Sequence, residues 1–241
     1  NGGLLNISGG GGVDTDITLG TVTANSGNVH FYTQPFINEG STNKIVVTNF
    51  VRTLASRSMV NFNGWTATNN STGVNTLGSP GLTSSSRVYL QNINGTPFAS
   101  ANLVNGIIGG WAVADGSTFA TYNNQWGLSQ MGVNYYGYGS TAFTGGDISA
   151  TTSASGNYND GTLARTLTGT KTANSWRLVP SAAQTIAFTG ANVTLITGII
   201  TNANQTITLQ ASDNTSSLTT TSPDLYIYQN QGTMNINVPL T

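Results

Sequence analysis

The sequence predicts an all-β chain, and three observations carry that reading. Thr (38), Gly (30), Asn (29) and Ser (23) supply half of the 241 residues. The branched Cβ of Thr suits a pleated surface, while Asn and Gly accept the left-handed conformations that end strands. Helix signals are nearly absent, since no stretch of a dozen residues places apolar side chains at three-and-four spacing. Short strand-like runs recur instead, divided by Gly, Asn, Ser or Pro clusters at roughly the 8–12-residue spacing of all-β folds.

In chain order the expected strands are Ile17–Thr23, Val29–Tyr32, Lys44–Phe50, Met59–Phe62, Arg87–Leu90, Trp111–Ala114, Trp176–Val179, Thr185–Phe188, Val193–Ile196, Thr206–Leu209, Leu225–Tyr228 and Met234–Val238. Spacing alone does not separate a sandwich from a solenoid. The final third favours the solenoid, because TIAF, VTLI, TITLQ, LYIY and MNINV recur with G-A-N, T-N-A-N-Q and Q-N-Q-G turns between them. In a parallel β-helix each coil contributes such strands, inward residues of successive coils stack, and turn Asn residues form hydrogen-bonded ladders. The expected architecture is a right-handed parallel β-helix, a single module over 1–241. Residues 121–162, crowded with aromatics and glycines, read as a long excursion from it.

Charge excludes several classes. Asp, Glu, Lys and Arg make up only 6% of the chain, with a net charge of −1, against roughly 25% charged residues in a typical soluble domain. Disorder needs low hydrophobicity together with high net charge, and the charge is missing. The cations Lys44, Arg52, Arg57, Arg87, Arg165, Lys171 and Arg177 are scattered, whereas phosphate binding relies on clusters, so no nucleic-acid partner is expected. No run approaches the roughly 18 apolar residues of a membrane-spanning helix, so no membrane insertion is expected. The absence of cysteine rules out a disulfide framework. The chain opens NGGLLNIS, without Met or a signal-peptide pattern, which suggests a segment cut from something longer.

The segment NGIIGGWAVADGSTFATY, within Val104–Tyr122, resembles the NGI(L/I)GGWA…(D/N)G(T/S) signature of bacterial autotransporter-associated β-strand repeat proteins. NSWRLVPSAAQTIAFTGANVTLITGII and DLYIYQNQGTMNINVPL are similar to that family's later segments, with Trp176 where Leu is common, and ITLGTVTANSGNVHFYTQP resembles an upstream turn. The resemblance spans about three quarters of the chain in the family's order. It implies a secreted or surface-exposed β-helical passenger with a structural or adhesive role, and it transfers no catalytic residues. The insertion around 134–152 and the stretch NFNGWTATNNSTG depart from the pattern.

Gly109 and Gly110 permit a sharp turn that Trp111 covers, Asp115-Gly116 supplies a second turn, and Phe119 and Tyr122 return to the core; a packed corner is favoured over a ligand site. GGGGVDTDI, Gly9 to Ile17, approaches a calcium-binding nonapeptide, but it occurs once and Asp16 fills the apolar slot, so it reads as a polar turn. His30 is the lone histidine and reads as a strand surface residue; no metal or cofactor is expected. The carboxylates Asp14, Asp16, Glu39, Asp115, Asp147, Asp160, Asp213 and Asp224 show no sequence pairing that suits glycoside hydrolysis except Asp14 with Asp16, in a Gly turn. Matches to N-x-S/T at Asn6, Asn69, Asn70, Asn94, Asn192, Asn204 and Asn214 are expected by chance in such a composition.

Two surfaces are expected to matter. Tyr122, Trp126, Tyr135, Tyr136 and Tyr138, with Phe143, form either a sugar-stacking platform or the glue that holds the excursion down. At the ends, Leu4, Leu5, Ile7, Met234, Ile236 and Val238 read as ordinary coil strands with no cap, which suggests head-to-tail stacking of copies or tandem modules. The expected function is a non-enzymatic structural module of an extracellular bacterial fibre or cell-surface passenger. A carbohydrate-binding adhesin is the first alternative and a polysaccharide-degrading β-helix enzyme the second.

Overall fold

The computed structural model of the chain describes residues 3–8, 13–34, 41–64, 84–132, 134–135, 138–139, 142–149, 152–161 and 165–241. The described residues are all-β with parallel sheets, and their helical content is two 3-10 turns, Leu54–Ser56 and Ser100–Asn102. Every expected strand falls on an observed one. The chain divides into two compact units, Asn1–Ala142 and Phe143–Thr241.

In the first unit the chain alternates between two sheets. One is built from β1 (Gly3–Ser8), β3 (Asn28–Gln34), β5 (Met59–Gly64) and β9 (Ala112–Ala114), all parallel neighbours. The other takes the strands between them: β2 (Thr15–Ala24), β4 (Ser41–Arg52), β6 (Ser84–Leu90) and the short β7 (Asn92–Ile93), again parallel. Parallel neighbours require the chain to leave the sheet and return, and here each excursion is a strand of the opposite sheet. Register then stacks like on like. Leu5, Phe31, Phe62 and Ala114 occupy one row. Ile17, Ile45 and Val88 occupy a second, and Leu19, Val47 and Leu90 a third.

The core lies between these sheets. Ile45, Val47, Phe50, Val60, Phe62 and Val88 are fully buried, each worth roughly 1.5–3 kcal/mol of transfer free energy. Phe62 lies 5.7 Å from Phe31 in its own sheet and 5.8 Å from Phe50 in the other. The alternation of β2 and β4 shifts phase together, from Leu19 to Val22 and from Val47 to Phe50, so the apolar rows stay aligned. The unit closes with antiparallel additions: β8 (Thr96–Pro97) on β7, then β10 (Thr118–Asn123) on β9 and β11 (Gly127–Gln130) on β10. A small hairpin pairs β12 (Asn134–Tyr135) with β13 (Tyr138–Gly139).

The second unit is a single parallel ladder. β14 (Ser153–Asp160) pairs with β15 (Arg165–Leu178), and β15 with the 18-residue β16 (Gln184–Thr201). On its other side β16 pairs with three successive strands: β17 (Thr206–Ala211), β18 (Ser217–Thr220) and β19 (Tyr226–Gln229). β20 (Thr233–Asn237) then pairs with β17. One strand meets three because it turns corners without leaving the ladder. The register of β15 against β16 slips at Thr168/Gly169, where Gly169 and Gly190 have φ of 65° and 57°, and again between Ala173 and Ser175. Inward rows continue across these levels, with Ile186, Leu209 and Ile236 in one and Val193 and Leu218 in another.

The second corner is polar inside. Asn174 donates to Asn157 Oδ1 at 2.8 Å, Ser175 donates to the same oxygen at 2.6 Å, and Thr197 donates to Asn174 Oδ1 at 3.0 Å. All four are buried, so each bond matters more for the orphan it prevents, about 1–3 kcal/mol, than for its own net gain. Within the excursion expected over 121–162, residues 153–160 form β14, paired in parallel with β15 across a register shift between Ser153 and Asn157. The buried groups of β14 include Asn157 and Asp160 on either side of Tyr158, which hid the strand from a hydrophobic pattern.

Gly198 marks the end of that corner, with φ of 156° and a neighbour so close that a Cβ would strike the Tyr226 carbonyl oxygen. Around Gly169, in contrast, the space a Cβ would occupy is open, with nothing within 4 Å. Gly198→Ala is therefore expected to lower unfolding stability by about 2–3 kcal/mol, and Gly169→Ala by less, only the cost of a left-handed conformation. Urea denaturation of the two variants checks the order; equal losses contradict it.

Candidate functional site

The corner between β9 and β10 is held by its own side chains. Asp115 and Gly116, at φ of 50° and 60°, form the turn. Asp115 Oδ1 accepts the Gly64 N–H at 2.7 Å, its Oδ2 accepts Gln130 Nε2 at 2.8 Å, and Asn61 Oδ1 accepts the Gly116 N–H at 2.9 Å. Trp111 stacks on Phe50 at 5.5 Å with an interplanar angle of 9°, and the Arg52 guanidinium sits 5.7 Å from its ring. The expected packed corner is what the structure places here.

Of the Tyr and Trp residues expected as a sugar platform, Tyr122 and Trp126 have described side chains, and both are packed. Tyr122 is buried, its ring edge-on to Phe98 at 5.0 Å and its hydroxyl donating to the Leu90 carbonyl at 3.4 Å. Burial pushes its phenol up to about 12, against the opposing Leu90 hydrogen bond, so it stays neutral at any ordinary pH. Trp126 is half-buried, and one face of its indole is covered by Arg87 at 4.2 Å. Tyr135 and Tyr138 belong to the β12–β13 hairpin, and Tyr136 lies outside the described residues. Phe143 is capped by Arg177 at 5.9 Å.

The acids are distributed among structural tasks. Asp14 accepts the Thr42 N–H at 2.7 Å, and Asp16 pairs with Lys44 at 2.6 Å. Glu39 lies outside the described residues. Tyr226 donates to Asp224 at 3.3 Å. One cluster joins acids to an arginine: Arg165 grips Asp160 through both terminal nitrogens and reaches Asp147 at 3.3 Å, while Trp176 Nε1 donates to Asp160 at 3.0 Å. Asp160 is sealed from solvent, so the cluster offers a single partly exposed carboxylate where glycoside hydrolysis uses two. Burial raises the Asp147 carboxyl, but hydrogen bonds from Ser149 and the charges of Arg165 and Lys171 outweigh it and hold the group below the usual Asp range. Among the described residues no group of three or more His, Asp or Glu is placed to hold a metal ion. His30 stands on β3, stacked on Tyr32 at 5.8 Å.

The ends of the ladders are the first of two candidate surfaces. β1 pairs only with β3, and β20 only with β17, among the described residues. Leu5, Ile7, Met234 and Ile236 are half-covered members of inward rows, and Val238 is buried. Leu4 and Leu240 are 68% and 57% exposed, unusual for large apolar side chains.

The second is an open groove of about 540 Å³ on the outer side of β4 and β6. Lys44 of β4, Tyr89 of β6, Gln91, Phe98, Tyr122 and Asn124 contribute to its walls. Its parts are fixed: Tyr89 donates to the Gln125 carbonyl at 2.7 Å, the Phe98 N–H to the Gln91 carbonyl at 2.8 Å, and the Ser100 N–H to Asn124 Oδ1 at 2.8 Å. Sequence reasoning missed Tyr89 and Phe98. The available signal was alternation, since Tyr89 sits between inward Val88 and Leu90 and so must face out.

At a corner of β16, Asp213 takes the N–H of Gly190 at 2.6 Å, together with the N–H groups of Ser216 and Thr215 and the Thr215 hydroxyl. These donors, Gly190 first, hold its carboxyl well below the usual Asp range. A depressed folded-state pKa adds stability above the unfolded value, about 3.9, and that stability is lost as pH falls through the folded value. Asp213→Asn is accordingly expected to be less stable than the parent at pH 7, with the gap narrowing below about pH 4. Thermal unfolding across pH checks this; a gap that stays constant down to about pH 2 contradicts it. No protein-family model, curated protein or solved structure matches the chain.

Proposed function

We propose that the chain is a structural module of an extracellular bacterial fibre or surface passenger, built as a right-handed parallel β-helix and extended head to tail through its ladder ends. One observation carries the reading: in-register apolar rows run through the parallel ladders and reach the outermost strands β1 and β20 still partly uncovered. An edge of this kind is a template for another strand, and proteins that stay monomeric blunt it with charge, Pro or a cap. The outward positions of β20, Asn235 and Asn237, carry amides in place of charges, bonding to Thr208 and Gln210 of β17.

The topology supports coils. Strands of the first unit alternate between two parallel sheets, and β16 spans three successive strands, as a continuous coil does over a broken one. Right-handed crossover is the hand such parallel connections take. The resemblance to autotransporter-associated repeat passengers and the very low charge agree with a role outside the cell, where stiffness comes from backbone ladders that salt hardly touches.

In a stack, each added module stabilises its neighbour through a new interface. A head-to-tail fusion of two copies is expected to unfold at a higher temperature than one copy, and the single chain to sediment as concentration-dependent oligomers that Leu4→Lys with Leu240→Lys abolishes. Calorimetry and sedimentation velocity check this. A monomer at every concentration together with a fusion that melts like the single chain rejects the proposal.

A further inference from the structure

Beyond the assembling role, and independent of it, we propose that the groove between β4, β6 and Phe98 is a binding site for a neutral pyranose glycan. Sugars present apolar C–H faces and a rim of hydroxyls, so a site for them pairs aromatic rings with fixed hydrogen-bonding groups. The groove has both. Tyr89 and Phe98 supply rings, and each is held before any ligand arrives: Tyr89 by the Gln125 carbonyl, and Phe98 by its edge contact with the buried Tyr122, itself bonded to the Leu90 carbonyl. Rings fixed in place lose little freedom on binding, which is where affinity for weakly held ligands is usually lost.

The polar complement comes from Gln91 and Asn124, both exposed at the groove. Asn124 keeps its amide in place by accepting the Ser100 N–H, which leaves the NH2 side as a donor. The volume, about 540 Å³, falls within the roughly 300–1,000 Å³ of small-ligand sites. Charge then selects the ligand. Lys44, the one charged lining group among the described residues, is paired with Asp16 at 2.6 Å, and Arg87, its neighbour in the same cross-strand row, is drawn over Trp126. A uronate or sulfated sugar meets cations already engaged elsewhere, whereas a neutral hydroxylated ring meets aromatic faces and amides.

The test uses the full chain and a panel of neutral hexaoses, the β-1,4-glucan, xylan and mannan series and the α-1,4-glucan series, with an oligogalacturonate as the anionic arm. Saturation-transfer NMR and calorimetry are expected to show millimolar or tighter binding of at least one neutral series and none of the oligogalacturonate. Gln91→Ala, an exposed change, is expected to weaken binding about five-fold to ten-fold with the melting temperature unchanged. Phe98→Ala is expected to weaken it about ten-fold or more. Absence of binding by every neutral series to folded protein, binding of the anionic probe alone, or affinity unaltered in both variants overturns the proposal.

Discussion

The structure depends on one constraint: a strand in a parallel ladder finds its partner only when the chain comes round again. Each pass must therefore present the same class of side chain at the same height as the last. The chain meets this with rows, not with a strict repeat. Leu5, Phe31 and Phe62 differ in identity and agree in position. Where a strand shifts phase, its neighbour shifts with it, as Leu19 to Val22 does beside Val47 to Phe50. Keeping rows aligned is what lets apolar burial accumulate along a sequence that is half Thr, Gly, Asn and Ser.

Corners pose the opposite problem, because a ladder that bends exposes or buries backbone polar groups. The second unit solves this twice with different chemistry. At one corner glycines take left-handed backbone and an outward carboxylate, Asp213, gathers the N–H groups of the turn. At the other a buried amide and hydroxyl chain, Asn157, Asn174, Ser175 and Thr197, satisfies itself inside. Few charges are then needed anywhere. The buried Asp160 is matched by Arg165, which also reaches Asp147, and separating such a set costs several kcal/mol.

Much of this was legible in the sequence where apolar alternation was clean. Lys44–Thr48, Thr185–Phe188 and Thr206–Leu209 read directly as strands because inward Ile, Val, Phe and Leu alternate with outward Lys, Val, Thr or Ala. β14 was not legible, since its buried groups include Asn157 and Asp160 on either side of Tyr158, which leaves no hydrophobic period. The unity of β16 was also hidden: Gly190 and Gly198 look like breaks between strands, and only a partner ladder shows that they are bends within one. Sites suffered most. The aromatics of 121–143 stand out by crowding, yet Tyr122 is packed and Trp126 is covered by Arg87. The groove draws Tyr89, Phe98 and Tyr122 from separate strands and loops, and register, not sequence proximity, brings them together.

One continuous strand, β16, pairing in parallel with three successive strands is the feature from which the second unit's rows and corners follow. Isotope-edited NOE spectroscopy tests it directly through contacts between distant residues. Cross-peaks are expected to join Ile186 to Leu209, Val193 to Leu218 and Ile199 to Ile227, all in the parallel backbone pattern. Antiparallel cross-peaks, or absence of any of the three while the protein is folded, would contradict it.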